Sequence, residues 1–320
     1  MKLLPRIVIA VLLVCVLGFS SFGYSDLSIS GLAYIQYSSD ENGNDAFNAT
    51  RIYLDIQRKL GDNILRYTTD IDPSGRYDVY SKYLYVQLNK ICPFGSIVRI
   101  GQIPTPWVGF VDGIHGFRYV QNSMTDEFSL LGSTDRGISA TKELGRGLSL
   151  DLAILNGTGF TAVENDGRKD LAVKVTYKAG NLTLAAHSQL SGSAVSSANT
   201  DSKLSIINGL AAYKFDNIQV AGEIATGTKD GLKISCLSIF ANAKIAEDMK
   251  VFARFDTVDN DTDTADSSVA GAACNTKLLV IGGIEKVIAQ KVKASLNIQN
   301  TKDGKRDAVN TFYMNMQVDI

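Results

Sequence analysis

The feature that most limits this chain is a period-two alternation in which charged residues recur in mid-strand on a single face. Phe312, Met314, Met316, Val318 and Ile320 share one parity, and Thr311, Tyr313, Asn315, Gln317 and Asp319 share the other. That is the signature of a strand with one apolar and one polar face. The pattern recurs upstream: Ile52, Leu54 and Ile56 oppose Arg51, Tyr53, Asp55 and Gln57, while Met249, Val251, Ala253 and Phe255 oppose Lys250, Phe252, Arg254 and Asp256. A packed sandwich core would not accept ionised groups there, because an isolated charge loses far more hydration than an apolar interior returns. A water-filled interior accepts them.

The alternation predicts strands over 27–37, 47–58, 63–72, 79–89, 96–104, 135–143, 148–155, 169–178, 181–190, 205–215, 218–226, 233–245, 249–257, 277–287, 291–300 and 308–320. Sixteen strands of about ten residues each match the length a tilted strand needs to cross a bilayer, with fourteen or eighteen as alternative counts. Connections after even-numbered strands are tight, such as LGDN at 60–63 and LGRG at 144–147, whereas those after odd-numbered strands are longer and polar. Single-chain transmembrane barrels sort their turns this way. The fold expected is therefore all-β, a transmembrane antiparallel β-barrel. On this reading Lys82, Arg136 and Lys142 fall on the outward parity, near a rim.

One segment breaks the rhythm. Thr105 to Thr134 is a long connection inside a compact unit, carrying the only Trp, one of two His and charges of both signs; connections of that length are usually functional. It is expected to fold inward as the third loop on its rim, with Asp112, His115, Arg118, Asp126 and Glu127 as candidate lining residues. On the strands Arg51, Arg66, Arg99, Lys174 and Arg254 share the inward parity with Asp55, Asp70, Asp151, Glu223 and Asp256. Opposed rings of charge are a selectivity device; mutual salt bridging within the wall is the alternative.

The chain opens with Lys2 and Arg6, an apolar run from Ile7 to Phe19 and then small residues, the three parts of a cleaved secretory signal, expected over 1–23. After it no run approaches the roughly 18 apolar residues of a spanning helix. The 32 basic and 33 acidic residues nearly balance, so the basic footprint of a nucleic-acid binder is missing. Beyond Cys15 in the signal, Cys92, Cys236 and Cys274 remain, an odd number that makes no disulfide framework, although Cys236 and Cys274 are placed near one rim. His187 lies on the inward parity without a serine or cysteine signature beside it. Two histidines with no acidic or thiol cluster at ligand spacing also do not make a metal site. Neither a phosphate-cradling nor a dinucleotide motif occurs, so no cofactor and no enzymatic activity are expected.

The stretches RIGQIPTP, STDRGISATKELG, LAILNGTGF, ENDGRKDLAVKVTY and VFARFDTVDND resemble strands and loops of bacterial trimeric porins, particularly the phosphate-selective porin O/P group. The resemblance implies a sixteen-stranded barrel in outer-membrane lipid, three barrels per assembly, and a third loop that constricts a channel for small hydrophilic solutes or ions. A substrate-specific anion or phosphate channel is one alternative implied, and an exported soluble β-sandwich or adhesin another. Two positions depart from the family: the chain ends in Ile320 where an aromatic residue is usual, and the fifth loop carries only Lys203 where an anion-selective member has a lysine cluster.

Overall fold

A computed structural model describes residues 26–71, 78–91, 96–164, 167–192, 203–229, 232–261, 277–304 and 306–320. The signal expected over 1–23, Cys92, Cys274 and hence any Cys236–Cys274 pairing lie outside the described residues, as do residues 193–202 of the fifth loop. The elements run β1 (Leu27–Asp40), β2 (Asp45–Leu60), β3 (Asn63–Ile71), β4 (Val79–Asn89), β5 (Ile97–Pro104), α1 (Val108–His115), α2 (Met124–Glu127), β6 (Thr134–Gly145), β7 (Leu148–Leu155) and β8 (Asp170–Ala179). They continue β9 (Leu182–Ser191), β10 (Leu204–Phe215), β11 (Ile218–Lys229), β12 (Leu232–Ala246), β13 (Met249–Asp261), β14 (Lys277–Ala289), β15 (Val292–Asp303) and β16 (Val309–Asp319).

Every strand pairs antiparallel with its sequence neighbours, and β1 also pairs with β16, closing the sheet. The seam runs from Leu32 opposite Asp319 to Asp40 opposite Thr311. Beyond it the Gly31 and Ile320 backbones exchange hydrogen bonds of 3.0 and 2.8 Å. Closure satisfies every ladder and leaves no edge. Tight turns rely on glycine where the chain must reverse: Gly147 has φ +80°, and a Cβ there would overlap the Lys178 carbonyl oxygen, a position only glycine occupies without strain.

The barrel is inverted relative to a water-soluble core. Leu54, Ile100, Ile154, Ile207, Ile224, Ile298 and Met314 are exposed on the outside, while Asp55, Lys174, Asn208, Glu223, Asp256, Asn297 and Asn315 are buried within. An apolar exterior of this extent suits hydrocarbon rather than water. No helix among the described residues is long and apolar enough to cross a membrane.

Several pairings carry bulges, and the one in β4 changes which way a charged side chain points. Thr68 pairs with Tyr83 and Thr69 with Ser81, which leaves Lys82 as the extra residue of a bulge. A bulge resets parity, so Lys82 points into the barrel, buried, and its outward assignment is corrected. The Gln102 amide fills the gap on the other side, donating to the Ser81 carbonyl and, at 2.8 Å, to the Lys82 carbonyl. Arg136 does keep the outward parity, but its guanidinium is held by the carbonyls of Phe160 (3.0 Å) and Ala162 (2.5 Å).

Candidate functional site

The segment between β5 and β6 crosses the lumen and is fastened to the far wall. Its start is pinned at Trp107, fully buried, whose indole N–H donates to Glu223 Oε1 on β11 at 2.7 Å and whose ring stacks on His187 of β9 at 5.3 Å. Lys174 on β8 donates to the Pro106 carbonyl at 2.8 Å, reaches Asp151 at 3.2 Å and lies over the Phe110 ring. Thr125 Oγ1 donates to the same Glu223 oxygen at 3.3 Å, so one carboxylate holds the starts of both short helices. Val108, Val111, Met124 and Leu130 pack with Ile206, Ala225, Cys236 and Phe240 of the wall. The Trp107 indole and the Thr125 hydroxyl, taken out of water, are thus matched to a partner on the wall.

Further along, Gly116 ends α1 with φ +76°, and the turn delivers Tyr119, whose hydroxyl donates to Glu285 on β14 at 2.8 Å. Arg254 on β13 forks onto Asp256 (2.5–2.9 Å) and donates to the Asn122 carbonyl at 2.5 Å. His115 turns under the loop, packed edge-on against Phe240 and Phe117, with its Nδ1 accepting the Phe117 N–H at 3.3 Å. Burial, and secondarily the Arg254 charge, hold its pKa well below the usual 6.5. His115, Lys174 and Arg254 therefore sit at contacts between loop and wall, with Asp256 bonded to Arg254.

The open side of the loop carries Arg118, which clamps Asp112 and, at 2.9 Å, Asp126; Asp112 also accepts the Ser123 N–H. Glu127 is half-buried beside these groups, and burial raises its carboxyl above the ordinary range. Facing Arg118 is the wall of β1 to β4. Arg51 donates to the Tyr53 hydroxyl and stands 4.0 Å from Asp70, while Lys82 lies 3.8 Å from the same carboxylate and donates to Tyr53 (2.7 Å) and Ser133 (3.3 Å). Arg51 and Lys82 both interact electrostatically with Asp126 across the gap. Between them a cavity of about 230 Å³ is lined by Arg51, Arg118, Tyr34, Gln36, Gln121 and Tyr313, among others.

Two expected residues sit elsewhere. Arg66 is paired within the wall to Asp55 at 2.8 Å, and Arg99 to Gln87 at 2.8 Å and Thr141 at 3.5 Å. Conversely, Lys82 and the tyrosine and amide lining went unread. The tyrosines and amides of β1 and β16 hold the inward parity and were findable on that ground, whereas the bulge that redirects Lys82 leaves no mark in the alternation.

No family model and no curated protein matches the sequence. Solved structures do. The outer-membrane expressed OmpT of Vibrio cholerae aligns at TM-score 0.68 and 12% identity, over 92% of this chain and 97% of that one. The anion-selective porin from Comamonas acidovorans aligns at 0.66 and 13%, over 92% and 99%. This chain has the porin fold. Salmonella typhi OmpF, in complex with daunomycin, agrees at 0.66 and 10%, over 92% and 97%.

Proposed function

We propose that this protein is an outer-membrane porin, exported by a cleaved signal, that lets small hydrophilic solutes or ions diffuse down their gradients and performs no covalent chemistry. The observation that carries this reading is the inward loop. Fastened to β8, β9, β11, β13 and β14, it narrows the lumen to the side where Arg51, Lys82, Asp70, Arg118 and Asp126 meet. A sixteen-stranded barrel is wide enough to leave an aqueous channel; the loop sets its width and the facing charges bias what passes. Homotrimeric assembly is part of the proposal, supported by the fold and by a neighbour described as the trimer form of Vibrio cholerae OmpT.

The test is efflux from liposomes of neutral sugars of graded size. Small sugars should leave at rates falling steeply with size and never saturating, and retention of the smallest would refute the reading. A substrate-specific channel is favoured by one observation, that Arg51 and Arg118 line a cavity without a carboxylate in its wall. The resemblance to phosphate-selective porins makes phosphate the solute to try. Saturable block of chloride current by phosphate would establish that alternative, and strict proportionality of current to concentration would dismiss it.

A further inference from the structure

A second polar cavity, of about 210 Å³, lies away from the passage, on the rim that carries the long loops. It is enclosed by the returning arm of the inward loop (Ser129 to Gly132, then Thr134 and Asp135), by the turn Gly157 to Gly159 after β7, and by Asp170 at the start of β8. We propose that this cavity is a site for one hard divalent cation of the calcium class, bridging the inward loop to the turn after β7.

Two carboxylates face the cavity, Asp135 at 4% exposure and Asp170 at 3%, close enough for each to feel the other's charge. Asp170 Oδ2 accepts the Gln189 amide at 2.9 Å, but its Oδ1 has no hydrogen-bond partner among the described residues. Thr158 Oγ1, which also lines the cavity, is likewise unpartnered among the described residues. Asp135 accepts the backbone N–H groups of Arg136 and Gly157, each at 2.7 Å, which leaves lone pairs on both oxygens. No salt bridge reaches either carboxylate among the described residues; Arg136 is bound to carbonyls, and Lys229 at the cavity edge donates to the Ser129 carbonyl at 2.6 Å.

Two buried carboxylates that form no ion pair with each other's neighbours among the described residues are costly to ionise unless something neutralises them. The unpartnered side-chain donors, a carboxylate and a hydroxyl, are oxygen, and the backbone of a glycine-rich turn borders the same cavity. That set suits Ca²⁺, which takes six to eight oxygens in flexible geometry and readily keeps waters, and the cavity has room for an ion with several of them. Gly157 permits the close approach, because a Cβ there would stand 2.9 Å from Asp170 Oδ1. The described residues hold no cluster of three or more acidic, His or Cys ligands, so this site depends on backbone and water to complete its shell.

The experiment is calorimetric titration of Ca²⁺ into the folded full-length protein in detergent, stripped of metal, for the wild type, Asp170→Asn, Thr158→Val and, as a wall control, Asp55→Asn. Folding of each is checked by the altered gel mobility of an unheated barrel. Expected are saturable binding of one Ca²⁺ per chain, a loss of at least tenfold in affinity for Asp170→Asn, a smaller loss for Thr158→Val and none for Asp55→Asn. Absence of saturable binding to the folded wild type overturns the proposal, as does wild-type affinity in a folded Asp170→Asn. Should Asp170→Asn not fold, undiminished affinity in Thr158→Val overturns it. None of these outcomes bears on conduction, so the channel reading stands or falls separately.

Discussion

At the scale of single residues, the charges sort into those already spent on carboxylates and those shared. Arg254 has Asp256 to itself and Arg66 has Asp55, whereas Arg51 and Lys82 divide one carboxylate, Asp70. We predict that Arg51→Gln with Lys82→Gln moves the reversal potential in asymmetric salt toward cations, and that Arg66→Gln does not; an unmoved potential in the double variant would remove these residues from the constriction. His115 gives a pH prediction. Its folded pKa lies below 6.5, so the undocked ring binds a proton more readily; its contribution to docking is complete above pH 6.5 and is lost as pH falls below it. Each unit of depression corresponds to about 1.4 kcal/mol. Glu127, raised above 4.5 by burial, acts in the opposite sense, contributing fully below 4.5 and losing that contribution as pH rises through its folded value. His115→Phe should therefore flatten the acid loss of loop protection seen by hydrogen exchange, and a wild-type slope in that variant would contradict the assignment.

At the scale of elements, the bulge in β4 and the anchored loop do most to shape the lumen. Gln102 donates to two carbonyls at the bulge; Gln102→Ala should cost about 1–3 kcal/mol, the usual penalty for unsatisfied buried groups, read as a lower temperature of barrel opening. Trp107→Ala removes both a fully buried ring and the donor to Glu223. A loss of about 3–5 kcal/mol is expected, visible as noisier open-channel current; a quiet current at wild-type conductance would show that the loop is held by other means. All sixteen strands were legible in the sequence, their ends differing by at most four residues, at the end of β13, because lipid outside and water inside impose opposite demands on alternate residues. The inward course of the loop was readable from its length. Which of its charges face the passage was not, since a loop has no parity, and the sorting of Lys174 and Arg254 into fastenings depends on contacts with Pro106 and Asn122, distant in the chain. The strand whose facing was misread, β4, carries a register shift in mid-strand, between Thr68 and Thr69 of its partner β3.

At the scale of the whole molecule, the proposed function has the closed sheet make a hole and the loop decide how large it is. The apolar exterior and polar interior require lipid around the barrel and water within it, and the outward residues that suit hydrocarbon would aggregate the chain in water. The most direct measurement is single-channel conductance in a planar bilayer, comparing the folded wild type with a variant in which residues 108–127 are replaced by a short glycine-serine link. The wild type should open in discrete steps, and the variant, with an unobstructed barrel, should open in steps several-fold larger. Discrete steps of the same size in both would contradict the claim that this loop constricts the channel, and no steps from either would contradict the channel itself.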